Sequence, residues 1–199
     1  MINFITISAP SGSGKTTLCK ALREVKSDIE WSVSYTTRPK RDSERNGIDY
    51  HFISTNKFED FILNEKFVEW ENVHGNYYGT AKDTLKAAIV SEKKLLLEMD
   101  VKGSMSIKKL YPDNTFSIFI LPPSLEELRA RLKKRGTDSD ERIEIRLKRY
   151  QQEIEFQDRF DAVMINEDLE IAQKEVLISD KGFDVNTPKE NPPSYINNT

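Results

Sequence analysis

The chain lacks the means for several kinds of work. Of its 199 residues only one is cysteine, Cys19. No disulfide can form within the chain, and a reducing, cytoplasmic setting is expected. Positive charge is not in excess: 30 Lys and Arg stand against 33 Asp and Glu, a net charge of −3. Nucleic-acid binders are usually basic, so no nucleic-acid partner is expected, and any anion site must be a local cluster of Lys and Arg. No apolar run approaches the roughly 20 residues that span a bilayer. Met1-Ile2-Asn3-Phe4 carries no basic segment of a signal peptide. No membrane partner is expected. The two histidines, His51 and His74, have no Cys or His at zinc-ligand spacing, which leaves them structural or surface roles.

What the chain has begins with Ile2 to Ser8, which reads as a buried strand. Gly14 to about Val25 reads as a helix, with Leu18 and Leu22 at i,i+4 spacing. Between them runs Ala9-Pro10-Ser11-Gly12-Ser13-Gly14-Lys15-Thr16-Thr17. Strand, Gly/Ser loop and helix start, in that order, make a P-loop. Successive backbone N–H groups curl around phosphate oxygens, and the helix N-terminus points at the same anion. Gly12 and Gly14 permit close backbone approach. Lys15 can reach the β- and γ-phosphates, and the Thr16 hydroxyl can hold Mg²⁺. The strict pattern has Gly where this chain has Ala9. A nucleoside triphosphate is the expected ligand. Cys19, inside the following helix, reads as a small buried residue.

The rest of the chain alternates. Strands are expected at Lys94 to Asp100, Thr115 to Leu121 and Ala162 to Asn166. Helices are expected at Asp83 to Ser91, Val101 to Leu110, Ser124 to Arg135, Ser139 to Arg159 and Asp168 to Ile178. Ser124, with Glu127 three residues on, has capping-box spacing, and Gly136 ends that helix. Such alternation implies a parallel sheet with right-handed crossovers. Between about Ser32 and Thr80 the character changes to short, aromatic, turn-rich pieces, with a small helix from Asn56 to Leu63; this reads as an inserted lobe. The expected division is a core of residues 1–31 and 82–178, the lobe at 32–81, and a flexible tail at 179–199, rich in Asn and Pro.

Four further constellations carry chemistry. Leu95-Leu96-Leu97-Glu98-Met99-Asp100 is an apolar strand ending in acids, where a P-loop fold places its Mg²⁺ support. Ser34-Tyr35-Thr36-Thr37-Arg38-Pro39-Lys40-Arg41 sets two arginines beside hydroxyls and can clamp a phosphate. Glu69 lies among aromatics ahead of Gly75-Asn76-Tyr77-Tyr78-Gly79-Thr80. A carboxylate accepts two hydrogen bonds from one donor edge. Guanine offers such an edge; adenine sets a donor beside an acceptor. Finally, Arg129 to Arg149 holds nine Arg and Lys against four Asp and Glu. Two helices joined at Gly136 could act as a lid and bring guanidinium groups onto a transferring phosphoryl group.

With these motifs in this order, the chain resembles the guanylate kinase family over roughly Ile2 to Ile178. The residues that carry the resemblance are Ser8 to Thr16, Ser34 to Arg41, Gly75 to Thr80 and Ile120-Leu121-Pro122-Pro123-Ser124, with Arg135-Gly136-Thr137 and Ile165-Asn166 in support. The resemblance implies an α/β fold with a P-loop NTPase-type parallel sheet flanked by helices, a GMP-binding lobe and a helical lid at about 129–149. It implies transfer of the ATP γ-phosphoryl group to GMP or dGMP with Mg²⁺. It also implies that Ser34, Arg38, Arg41, Tyr50 and Tyr78 hold the GMP phosphate. Glu69, Thr80 and Asp100 then read the guanine. Lys15, Arg131, Arg135 and Arg146 gather at the ATP phosphates, and Asn166 lies near the adenine. Thr16 holds Mg²⁺ directly, with Glu98 and Asp100 acting through water. Two departures stand out: Glu98 and Glu167 stand where the family has Asp. The alternatives are a catalytically inactive guanylate-kinase-like module that binds phosphopeptides, and a kinase of another nucleoside monophosphate.

Overall fold

The computed structural model describes residues 1–25, 28–73, 75–136, 138–166, 176–179 and 182–185. At its centre is β1 (Phe4–Ser8), five residues that are all buried. It is flanked by β7 (Lys94–Glu98) and β8 (Thr115–Leu121), with β2 (Ile29–Trp31) and β9 (Ala162–Ile165) at the edges. The order is β2-β7-β1-β8-β9, and every pairing is parallel. Side chains alternate across β1. Ile5 and Ile7 pack against Leu18 and Leu22 of α1 (Lys15–Val25). Phe4 faces the other way, toward Leu85 of α3 (Lys82–Val90) and Ile107 of α4 (Val101–Leu110). Apolar residues on both faces are what a parallel sheet under two helical layers requires. No helix among the described residues is long and apolar enough to cross a membrane.

From β1 the chain crosses to β2 on one side, and from β8 to β9 on the other. Neighbouring strands whose connections leave in opposite directions open a crevice at their carboxyl ends. The P-loop follows β1 and enters it.

A second sheet, in the order β4-β3-β6-β5, comes from the segment between β2 and α3. Its strands are β3 (Tyr35–Thr36), β4 (His51–Phe52), β5 (Phe67–Val73) and β6 (Asn76–Ala81), with α2 (Thr55–Leu63) across them. Its interior is aromatic: Phe58 stacks 5.3 Å from Tyr77 and lies 4.4 Å from Phe67. The hairpin of β5 and β6 is antiparallel, with a register shift between Phe67 and Glu69 that sets Glu69 opposite Thr80.

α5 (Leu125–Arg135) and α6 (Asp140–Ile154) form a helical hairpin closed by Leu128, Leu132, Ile143, Leu147 and Tyr150. The Ser124 hydroxyl accepts the Glu127 N–H at 3.1 Å, as the spacing implied. Gly136 ends α5 in the left-handed region at φ +66°.

Three expectations need correction. β2 supplies a sheet strand where no strand was expected. The helix expected over Ser139 to Arg159 stops at Ile154, and a short 3-10 turn covers Gln157–Arg159. The helix expected over Asp168 to Ile178 does not reach its end: Val176–Ser179 is a strand, β10, paired antiparallel with β11 (Gly182–Val185). Val176-Leu177-Ile178 is a β-favouring run, and Asp180-Lys181-Gly182 supplies the turn chemistry of a hairpin. β11 also falls in the segment expected to be a flexible tail. Residues 167–175, 180, 181 and 186–199 lie outside the described residues.

Candidate active site

The P-loop is shaped by two glycines in conformations that L side chains rarely adopt, Gly12 at φ +99° and Gly14 at φ +87°. A Cβ on Gly14 would stand 2.3 Å from the Asn166 amide nitrogen. That nitrogen donates to the Ser13 carbonyl at 2.7 Å, so the end of β9 braces the loop. A Cβ on Gly12 would meet Leu128 and Leu132 of α5 at 2.9 and 3.0 Å, so the helical hairpin rests on the loop's other side. Ala9 and Pro10 are buried. Ala9 is not among the positive-φ positions, so its backbone tolerates a Cβ.

The cations at the loop rest on internal acceptors. Lys15 Nζ donates to the Met99 carbonyl at 3.0 Å, and the Thr16 hydroxyl donates to Glu98 Oε1 at 2.6 Å. Both bonds tie the loop to the end of β7. Thr17 is exposed on the first turn of α1. From α6, Arg146 donates to the Ser11 hydroxyl and pairs with Asp138 at 3.1 Å. From α5, Arg131 pairs with Glu127 at 2.9 Å and donates to the Asn166 carbonyl at 3.2 Å. Arg135 is the last residue of α5; its side chain lies outside what is described. The Cys19 thiol is buried behind the loop, and burial with nearby Glu98 pushes its pKa far up, so it stays a neutral packing group.

The inserted lobe builds a second cluster. Arg38 is held by a fork-to-fork pair with Glu44, at 3.0 Å from NH1 to Oε2 and 2.7 Å from NH2 to Oε1. Glu44 also accepts the Arg41 backbone N–H at 2.8 Å. The Arg38 hydrogen bond pulls the Glu44 carboxyl down to about 2. The Arg38 guanidinium lies over the Tyr50 ring, 5.5 Å from its centroid, and Tyr50 packs edge-on to Tyr78 at 5.9 Å. Burial and the nearby Glu98 charge push the Tyr50 hydroxyl up to about 12. Ser34 lies one residue before β3, and its carbonyl accepts the His51 N–H at 2.8 Å. Arg41 is exposed at the rim. The structure thus brings Arg38, Tyr50 and Tyr78 together. Sequence reasoning missed Glu44, the acid that orients Arg38; an acid six residues along the basic run was its only signal.

Glu69, Thr80 and Asp100 converge where the lobe meets the core. The Thr80 hydroxyl donates to Glu69 Oε1 at 2.6 Å. Asp100 caps α4, its Oδ1 accepting the Gly103 N–H at 2.7 Å. A Cβ on Gly103 would stand 3.1 Å from Asp100 Oδ1 and 3.2 Å from Glu69 Oε2, so this glycine admits both carboxylates. Burial, reinforced by the Asp100 charge and opposed by the Thr80 hydrogen bond, lifts the Glu69 carboxyl to about 7. A buried acid pushed up in this way is suited to meet a donor edge that restores its charge.

The sheet order and the loop at the end of its central strand define a P-loop α/β protein. The family model described as Guanylate kinase matches residues 1–178. The chain belongs to the guanylate kinase family. It is 42% identical over 179 residues to the guanylate kinase of Chlorobium luteolum, spanning 90% of this chain and 91% of that one. It is 46% identical over 175 residues to that of Neisseria gonorrhoeae, spanning 88% and 85%. The crystal structure of guanylate kinase from Anaplasma phagocytophilum superposes with a TM-score of 0.70 at 31% identity, covering 87% of this chain and 81% of that one.

Proposed function

We propose that the chain is an ATP:GMP phosphotransferase that moves the ATP γ-phosphoryl group to GMP or dGMP. The observation that carries this reading is the half-buried Glu69, its carboxylate held by Thr80 beside Asp100, at the junction of the lobe and the P-loop core. An acceptor-only edge suits the N1–H and N2 amine of guanine and is mismatched to adenine. Ser34, Arg38, Arg41, Tyr50 and Tyr78 hold the acceptor phosphate, with Arg38 pre-set by Glu44. The backbone from Ala9 to Thr17 cradles the donor phosphates. Lys15, Arg131, Arg135 and Arg146 supply positive charge, and Asn166 lies beside the adenine.

The acceptor phosphate has a second pKa of about 6 and is largely ionised at neutral pH. It needs no general base. It needs alignment and relief of anion–anion repulsion, which the lysine and arginines provide. Arg146 and Lys15 exchange their internal acceptors for phosphate oxygens as the helical hairpin and lobe close, excluding water that would hydrolyse ATP.

The Thr16 hydroxyl and Glu98 carboxylate present hard oxygens 2.6 Å apart beside the loop. Among the described residues no group of three or more His, Cys, Asp and Glu could hold a metal ion. The Thr16 and Glu98 oxygens suit Mg²⁺, a hard cation that takes oxygen ligands and keeps several of its waters. Thr16 would hold it directly, with Glu98 and Asp100 through water. When bound it neutralises charge on the β- and γ-phosphates. Glu98, at the end of β7, meets the Thr16 hydroxyl with its carboxylate. A cytoplasmic setting accords with the single buried cysteine.

The test is ADP release with a panel of nucleoside monophosphates. GMP and dGMP should be turned over at least about tenfold faster than AMP, CMP, UMP or dTMP. Comparable turnover of AMP would overturn the guanine assignment. Failure with every acceptor would favour a phosphopeptide-binding module.

A further inference from the structure

We propose that Arg149 and Glu71 are positioning residues for Asp100, tying the helical hairpin to the acceptor lobe and so setting acceptor affinity. The inference deepens the phosphotransferase reading and rests on it.

Glu71 follows Glu69 by two residues on β5, so both side chains point to one face of the strand. Trp70 and Asn72 point to the other and are exposed. The inward face therefore carries two carboxylates toward the end of α4, where Asp100 adds a third. Asp100 Oδ1 is committed to capping the helix. Its Oδ2 lies 4.0 Å from Arg149 NH2, and Glu71 Oε1 lies 3.8 Å from the same nitrogen. The guanidinium is itself anchored: Nε donates to Glu153 Oε1 at 2.8 Å, one turn along α6. One side chain of the helical hairpin thus faces a carboxylate of the lobe and a carboxylate of the core.

The surroundings make this more than a surface pair. Glu71 is half-buried, and Arg149 and Lys102 are the cations that face it. Arg149 also holds Glu153 through its Nε. Arg149 is therefore the cation common to three acids that would otherwise repel one another. Loose pairs at such separations add little to stability. The contact is suited to forming and parting as the two elements approach, with Asp100 steered as it forms.

The measurement is a KM and kcat comparison with GMP and ATP for the parent, Arg149→Ala, Arg149→Lys, Glu71→Ala and the double alanine variant. Arg149→Ala should raise the KM for GMP about fivefold to tenfold, with kcat and the KM for ATP changed less than about twofold. Arg149→Lys should recover most of the loss. The double variant should have a KM for GMP no higher than that of Arg149→Ala alone, because both residues act on Asp100 through one contact. Unchanged KM for GMP in Arg149→Ala would overturn the proposal. So would penalties that multiply in the double variant, or a KM for ATP that moves as far as that for GMP. The parent's own turnover separates the two levels of inference. With GMP-dependent turnover intact in the parent, these failures sink the positioning role alone; without it, both fall.

Discussion

The proposed donor and acceptor ends of the crevice are built on different principles. The P-loop is backbone held from behind: Gly12 and Gly14 shape it, Asn166 braces it from β9, and Leu128 and Leu132 press on it from α5. The acceptor end is side chains gathered from short strands: Arg38 after β3, Tyr50 before β4, Glu69 on β5, Tyr78 and Thr80 on β6, Asp100 at the start of α4. Backbone N–H groups recognise any phosphate that fits. Only side chains can present the acceptor-only edge that tells one base from another. On the proposed assignment, the difference predicts that catalysis and specificity sit on separable parts, and substitutions should separate them.

The largest effect should follow from Lys15→Met. Phosphoryl transfer should fall by on the order of a thousandfold, because a cation at the transferring group is lost. GMP affinity by calorimetry should stay within about twofold, since Lys15 rests on the Met99 carbonyl, which belongs to the core. Lost GMP affinity in a folded variant would break the separation.

Gly14→Ala should act on the same end. Its Cβ would collide with Asn166 at 2.3 Å, in a backbone region unfavourable to alanine. The KM for ATP should rise about tenfold or more, with that for GMP nearly unchanged. Equal changes in both would show that the loop and lobe form one unit.

Acidification should act on the other end. Only an ionised Glu69 accepts both guanine donors, and its carboxyl titrates at about 7 in the free protein. One unit below that value about a tenth of the molecules are ionised, so the KM for GMP should rise about tenfold. Phosphate protonation in the same range acts on both substrates, so the KM for ATP should rise by much less than that for GMP. A pH-independent KM for GMP would remove Glu69 from the acceptor site.

The smallest effect is on stability. A carboxyl raised from 4.5 to about 7 on folding stabilises the protein fully below the lower value, and that contribution is lost as pH rises through the upper one. Glu69→Gln removes the buried charge while keeping an acceptor for the Thr80 hydroxyl. It should raise the melting temperature by a few degrees at about pH 8 and by none near pH 4.5. A lowered melting temperature at pH 8 would show that the ionised form is stabilised by contacts beyond Thr80.

The same contrast explains what was legible in the sequence. β1, the P-loop, α4, β8 and the Ser124 cap each carry a local signal: an apolar run, paired glycines, a helical period, a hydroxyl three residues before Glu127. β2 carries none. Ile29-Glu30-Trp31 is too short for a period and becomes a strand only by pairing with β7. The ends of α6 and of the helix expected before Ile178 were misread because helical composition continues past the point where packing or a hairpin takes over. The acceptor end follows the same rule. Residue chemistry pointed to Arg38, Arg41 and Glu69, but the rest fall in register only once β5 and β6 pair across the shift at Glu69, so the family resemblance pointed to Tyr50, Tyr78 and Thr80. The anchors Glu44, Asp138 and Glu153 answer to contacts made on folding.

The most direct measurement of the central claim is the GMP-to-IMP preference of the parent and of Glu69→Ala. IMP lacks the N2 amine and already forgoes one bond to the carboxylate. Each lost bond to a buried group costs about 1–3 kcal/mol. The specificity constant for GMP should therefore fall by about two orders of magnitude in the variant, that for IMP by less, and the preference should shrink, with the KM for ATP unmoved. A preference left unchanged in a variant that folds normally would contradict the account and pass the reading of the base to Thr80 or Asp100.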